Sequence, residues 1–253
     1  HEARLDSKRS ARRANDTSYA SAAARLVSTG YAHLAIGGLA MSPNPVVVAA
    51  VRSVRERIGY DVKFHVFGVA RENILDEFRK HGVTSADSAG PLRQAWLSST
   101  KNYITADGRA YVAIRIPYSS DTRRQAPPSA SKAEAEALSV LRAYDRGESD
   151  LEGALASVAR YRKVPDELIA KYRRTLADRP WRDCDCQICR DLGVDVLIFR
   201  GNNRNRRRGF HNVKTFFDRF EAHFAAAEKR ETAGLPSPLR SPTEKGHATA
   251  AAN

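Results

Sequence analysis

Trp181-Arg182-Asp183-Cys184-Asp185-Cys186-Gln187-Ile188-Cys189, followed after 21 further residues by His211-Asn212, is the stretch on which the reading of this chain turns. It holds all three cysteines of the 253 residues. Three thiolates within six positions, with an imidazole beyond an intervening element, form the donor set of a closed tetrahedral zinc site. Sulfur and imidazole nitrogen suit Zn²⁺, whereas Mg²⁺ and Ca²⁺ want oxygen. Four protein ligands leave the ion no open position. Its expected role is therefore structural, with binding energy that folds the local loops. An iron–sulfur cluster usually needs a fourth cysteine, and a disulfide framework would leave an odd thiol. The plain alternative is three unrelated buried cysteines and a surface histidine, but random scatter rarely puts three cysteines in so short a window.

The rest of the composition bounds what such a site could serve. Apolar residues make up 42% of the chain, enough for a globular core in one large or two small domains. The formal net charge is +13, which calls for a polyanionic partner, most often nucleic acid. A merely soluble basic protein is the bland alternative. The longest apolar run, Pro45 to Val51, is far too short to span a membrane, and nothing at the start resembles a signal peptide. Cysteines used for metal rather than for bridges fit a reducing cytoplasm. The chain opens His1-Glu2-Ala3-Arg4 with no initiator Met, the start expected of a fragment or of one product of a split gene.

Upstream of the cysteines the pattern alternates. A helix over Tyr19 to Val27 closes at Gly30, and a short buried strand, Tyr31 to Ile36, ends on Gly37-Gly38-Leu39-Ala40. A helix over Pro45–Ile58 leads to a strand over Lys63–Phe67 that ends on Gly68. A helix over Ile74–His81 then leads to a strand-like piece over Val83–Asp87. Helix–strand alternation with short loops builds a parallel sheet with right-handed crossovers, an α/β fold. Chemistry then belongs at the C-terminal strand ends, where Gly37, Gly38, Gly68 and Asp87 fall. Three strands cannot close a barrel.

The expected organisation is a basic arm or truncated end over 1–18, the alternating unit over 19–118, a linker over 119–132, helices over 133–180, a zinc-binding unit over 181–226, and a disordered tail over 227–253. A hairpin is expected between Tyr103 and Ile116 around Asp107-Gly108. Within the zinc unit, Val194 to Phe199 reads as a strand and Val213 to Ala226 as a helix. His33 and His65 read as satisfied core histidines on apolar strands. Met41 and the phenylalanines of 216–224 read as core.

Together these motifs resemble the tRNA-guanine transglycosylases. The zinc pattern Cys-x-Cys-x-x-Cys…His-Asn is matched by Cys184, Cys186, Cys189, His211 and Asn212. A strand ending in Gly-Gly-Leu-Ala is matched by Gly37 to Ala40, and a Met-Gly-Val-Gly strand end is echoed by Val66 to Val69. An Asp followed by Pro and Arg is matched in register by Asp87, Pro91 and Arg93. The resemblance covers residues 19–118 and 181–220. It implies the C-terminal part of a (β/α)₈ barrel, about three parallel strands, with an attached zinc subdomain. The family's Ser-Gly-Gly-Phe-Gln motif and its acid/base Asp are not in this sequence, so an upstream segment or a second chain would complete the barrel. The run Phe199 to His211 departs from the queuine enzymes, which carry a helix there. It looks similar to the DpdA-type branch, which inserts 7-deazaguanine bases into DNA.

The implied reaction exchanges guanine for a 7-deazaguanine through a covalent glycosyl intermediate on Asp87. The structural alternative for Asp87 is a helix cap or a self-bonded loop residue. Gly37, Gly38 and Leu39 would present backbone groups and an apolar wall to the base; alternatively they make only a tight turn. Arg93 would meet a phosphate. Arg204, Arg206, Arg207 and Arg208, on a loop pinned by zinc, would track a nucleic-acid backbone, against the alternative of a solvated charge run. The substrate nucleic acid is DNA, with tRNA as the alternative. A non-catalytic zinc-containing nucleic-acid-binding subunit is the reading from another class.

Overall fold

The computed structural model describes residues 18–116, 128–161, 164–199 and 201–232. The arm expected over 1–18 and the tail expected over 227–253 lie largely outside these residues, as does most of the linker. The chain is a mixed α/β protein. Helix α1 (18–28) leads into β1 (His33–Ile36), α2 (Asn44–Ile58) and β2 (Lys63–Val66). A 3₁₀ turn (Glu72–Ile74) runs into α3 (Leu75–Lys80), then β3 (Ser85–Ala86) and α4 (Gly90–Leu97). The last of these was not anticipated. β1, β2 and β3 pair side by side, all parallel, in chain order.

Alternation decides which way this sheet faces. Leu34, Ile36, Phe64 and Val66 point to one side and are buried against Val47, Ala50, Val51 and Val54 of α2 and Phe78 of α3. His33 and Ala35 point the other way and are exposed, and His65 is half-buried. The strands are thus covered on one face, not buried on both, and His33 is no core histidine. α2 and α3 lie on the same side because both crossovers have the same hand.

The opposite, N-terminal ends of the strands are held by Arg55. Its buried guanidinium donates to the carbonyls of His81 (2.8 Å), Val62 (2.9 Å) and Gly82 (2.6 Å), fastening the loops before β2 and β3. Burial lowers its pKa from the ordinary arginine value.

A second core is built from the hairpin and everything after it. β4 (Tyr103–Ile104) and β5 (Ala110–Tyr111) pair antiparallel as expected. β6 (Ile114–Arg115) then pairs in parallel with β7 (Ile198–Phe199). Helices α5 (Pro128–Arg146), α6 (Leu151–Tyr161) and α7 (Asp166–Asp178) pack their apolar stripes on these strands through Leu141, Leu155 and Leu176, among others. The breaks between them take in Gly147 and Pro165. α8 (Gln187–Leu192) carries Cys189.

Two expectations for the zinc unit are corrected. Val194 to Phe199 is not a strand throughout: Gly193–Leu197 is 3₁₀, and only Ile198–Phe199 is extended. The arginine-rich run is not a loop. It opens α9 (Gly201–Thr232), 12 residues before the expected helix start at Val213. Asn and Gly are poor helix formers, so packing overrides propensity here. Arg208, His211, Asn212 and Thr215 form the buried stripe of this helix. Gly209 lets α4 come close: a β-carbon there would lie 2.8 Å from the Leu92 carbonyl and side chain. Met41 is 95% exposed and Phe217 55% exposed, so neither belongs to the core. Phe216, Phe220 and Phe224 are half-buried and pack in a row with tilted rings.

Candidate active site and metal centre

The strand register carries three residues to one edge. Ile36 pairs with Val66, and Val66 with Ala86, so Gly37, Phe67 and Asp87 follow in one row at the C-terminal ends. The ladder continues past the strands, with Phe67 N–H donating to Ile36 O (2.8 Å) and Asp87 N–H reaching Val66 O (3.4 Å). Two strand spacings of about 4.8 Å put Gly37 about 10 Å from Asp87. That gap is wide enough for a flat base and its sugar.

Asp87 is 60% exposed at its side chain. Its Oδ1 accepts from the Gly68 amide at 2.8 Å and lies 3.3 Å from His65 Nε2. The Gly68 amide holds the carboxyl below the usual carboxylate range, with a smaller contribution from His65. Asp87 is therefore an anion at neutral pH. Gly68 can turn its amide inward because its φ of 72° suits glycine, and a β-carbon there would press on Ala40 at 3.1 Å.

Gly37 and Gly38 form the opposite rim. Tyr19 of α1 donates its hydroxyl to Gly37 O (3.0 Å), and a β-carbon at Gly38 would lie 3.1 Å from the Tyr19 hydroxyl oxygen. Leu39 is buried in the sheet core, so it offers no side-chain wall to a base. The exposed aromatic beside Gly37 is Phe67, whose ring sits 4.0 Å from a β-carbon built there.

Sequence reading missed Tyr19, His65, Phe67 and Ser85. The period-two alternation of β2 and β3 holds the signal, since it sets His65, Phe67, Ser85 and Asp87 on the same face.

The metal centre is built where α8, the loop before it and α9 converge. The donor atoms of Cys184, Cys186, Cys189 and His211 all lie within 4.8 Å of one another. His211 Nδ1 sits 3.5, 3.4 and 3.4 Å from the three sulfurs in that order. A tetrahedral ion with bonds of about 2.3 Å to sulfur and about 2.0 Å to nitrogen demands an S···N edge of about 3.5 Å. The other ring nitrogen of His211 donates to Ile104 O at 2.9 Å, which leaves the Nδ1 lone pair facing the sulfurs.

The electrostatics of the cluster ask for a cation. Contacts with Cys186 and Cys189 drive the Cys184 thiol far down, and contact with Cys184 and Cys186 pushes Cys189 up. Burial alone would lower His211, but its bonds to Cys184 and Cys186 outweigh that and raise it to about 9. Three close sulfurs, two of them buried, cannot all ionise side by side unless a positive ion shares them. The four side chains make a metal-binding arrangement.

Asn212 explains why an Asn follows the His. It accepts from Ile104 N–H (3.0 Å) and donates to Asn102 O (2.9 Å), locking β4 beside the ligand.

The arginines separate into distinct kinds. Arg206 and Arg207 are exposed on α9, and Arg93 is exposed in the first turn of α4. Arg204 is half-buried and ion-paired with Asp195 at 3.1 Å. Arg208 is corrected outright. It is fully buried and donates to Ala95 O (2.8 Å), Val196 O (3.0 Å) and Ile198 O (3.3 Å), so no phosphate can reach it. Burial lowers its pKa to about 9.

Comparison with known proteins falls in line with this geometry. A DNA-guanine transglycosylase from Salmonella montevideo is 35% identical to the chain over 227 residues, 82% of its length. That likeness supports a place in the guanine transglycosylase superfamily. The chain spans about half of that relative, 53% of its length. No family model matches. Among the described residues, no helix is long and apolar enough to cross a membrane.

Proposed function

We propose that the chain carries the nucleophile and the metal-braced arm of a transglycosylase that exchanges guanine for a 7-deazaguanine base in DNA. The observation that supports this most is the row Gly37, Phe67, Asp87 at the C-terminal edge of a parallel sheet.

Asp87 would attack C1′ of the target nucleoside with Oδ2. The C1′–O bond forms as the C1′–N9 bond breaks. The departing guanine keeps the bonding electron pair and takes a proton from solvent or from the acid/base carboxylate that the resemblance places upstream. The incoming base then attacks C1′ through nitrogen, gives up its proton there and returns the electron pair to Asp87. Two displacements retain the sugar configuration. Gly37 and Gly38 would approach the base with backbone groups, and Phe67 would give it an aromatic surface. Arg93, Arg206 and Arg207 would meet phosphates; Arg204 is partly committed to Asp195.

The sheet supports a barrel origin. Three parallel strands in sequential order with both crossover helices on one side are the repeating unit of a (β/α)₈ barrel. Parallel strands are ordinarily covered on both faces, and here one face stands open beside His33, Ala35 and His65. Further strands would close over it, and a chain spanning 53% of its relative leaves room for them. The boundaries 19–118 for the partial barrel and 181–226 for the zinc subdomain go with this reading.

The ion suited to three sulfurs and an imidazole is Zn²⁺. Cys184, Cys186, Cys189 and His211 would hold it. It would brace β4, α8 and α9 against one another and takes no part in the exchange.

The run after Phe199 is helical, so it gives no ground for DNA over tRNA. DNA is supported by the likeness to the DNA-guanine transglycosylase. The helix is the one observation on the side of tRNA. The test is an exchange assay of the full-length protein with labelled guanine, run in parallel on duplex DNA and on tRNA. Label in DNA alone is the expected result; label in tRNA alone would overturn the choice, and label in neither would remove the exchange reading.

A further inference from the structure

Asp87 is reached from one side by an ordered pair of side chains. Ser85 Oγ lies 2.8 Å from His65 Nδ1, and His65 Nε2 lies 3.3 Å from Asp87 Oδ1. Phe67 meets the imidazole edge to face at 4.5 Å between centroids and limits its rotation. The imidazole itself is 25% exposed, against 60% for Asp87.

The direction of these bonds follows from the acceptor. An ionised carboxylate can only accept, so His65 Nε2 must carry a proton. In the neutral ring Nδ1 then accepts, and the Ser85 hydroxyl donates to it. Ser85 thereby selects the tautomer that faces Asp87.

We propose that His65 is a positioning residue for the nucleophile: with the Gly68 amide it pins Oδ1, so that Oδ2 is the oxygen presented to C1′. This rests on the reading of Asp87 as nucleophile. Two donors on one oxygen fix the carboxylate plane and leave the lone pairs of the other oxygen aimed outward. Once Oδ2 is bonded to C1′, Oδ1 is an ester carbonyl. When the incoming base displaces the carboxylate, negative charge returns to it, and both donors are already in place to receive that charge without rearrangement. The contribution falls on the rate of the two displacements and not on base binding, because neither bond touches the base.

The test uses single-turnover guanine exchange on duplex DNA by the full-length protein, with rate and half-saturating guanine measured separately. His65→Phe is expected to slow exchange about 100-fold while half-saturation moves by less than about twofold. His65→Gln puts an amide N–H where Nε2 stood and is expected to recover most of the rate. His65→Asn reaches Ser85 but not Asp87 and is expected to remain as slow as the Phe variant. A Phe variant at the wild-type rate, equal recovery by Gln and Asn, or an effect confined to half-saturation would each overturn the proposal. Melting curves of the three variants separate misfolding from a slowed reaction. Asp87→Asn is run alongside. Exchange that survives in it removes the nucleophile reading itself, whereas loss there with an unaffected His65→Phe removes only the role given to His65.

Discussion

Tyr103 lies flat on the imidazole of His211, ring centroids 3.9 Å apart and planes 12° from parallel. Its hydroxyl reaches past the ring to Cys189 Sγ (3.3 Å) and Pro180 O (3.2 Å). One fully buried side chain of the hairpin therefore covers the metal cluster and touches two of its ligands. Tyr103→Phe keeps the stack and loses the hydroxyl bonds, so it should cost about 1–2 kcal/mol and weaken zinc binding about 10-fold. Tyr103→Ala empties the site and should cost about 3–5 kcal/mol. Urea midpoints and competition with a zinc-binding dye measure both. Equal effects of the two variants would contradict the stacking role.

Arg206, Arg207 and Arg208 are consecutive, yet their expected mutant behaviour divides. Arg206→Gln with Arg207→Gln should leave the melting temperature unchanged and reduce the slope of log affinity for DNA against log salt by about 2, one per lost phosphate contact. Arg208→Met should remove the Arg208 donor from Val196 O, Ile198 O and Ala95 O, of which Ala95 O keeps the Asn102 amide, and cost about 2–3 kcal/mol. Salt titrations of binding and denaturant melts distinguish the two outcomes.

Stability should fall on the acid side through His81. Burial lowers its pKa in the folded chain, outweighing Glu77 at 3.4 Å. A base with a folded pKa below its unfolded value of 6.5 binds its proton more readily when unfolded. The stabilisation is complete above pH 6.5 and is lost as pH falls below it towards the folded pKa. Urea midpoints followed from pH 8 to 5 should therefore decline for wild type more steeply than for His81→Gln. Parallel slopes would contradict the assignment.

What the sequence made legible depended on where the polar residues sit. The cluster of Cys184, Cys186, Cys189 and His211 was plain because sulfur is rare in this chain and its spacing is chemical. The three parallel strands were plain because apolar runs alternate with helical periods and end on glycine. The first 12 residues of α9 were not, since the buried stripe there begins with Arg208, His211 and Asn212, which a search for apolar periodicity reads as surface. Its first turns, rich in Asn and Gly, added a local preference against helix that contacts with α4 overrule. The same blindness hid His65. On an apolar strand a histidine looks like core, and only the open face of the sheet shows that it turns towards Asp87.

The central claim is a bond between Asp87 and C1′ of the target nucleoside. Full-length protein mixed with duplex DNA, quenched in denaturant and examined by intact-mass spectrometry tests it directly. Wild-type protein should carry a covalent DNA adduct that labelled guanine chases away, and Asp87→Asn should carry none. An adduct of undiminished yield in Asp87→Asn, or one mapped to a peptide that lacks residue 87, would contradict the account.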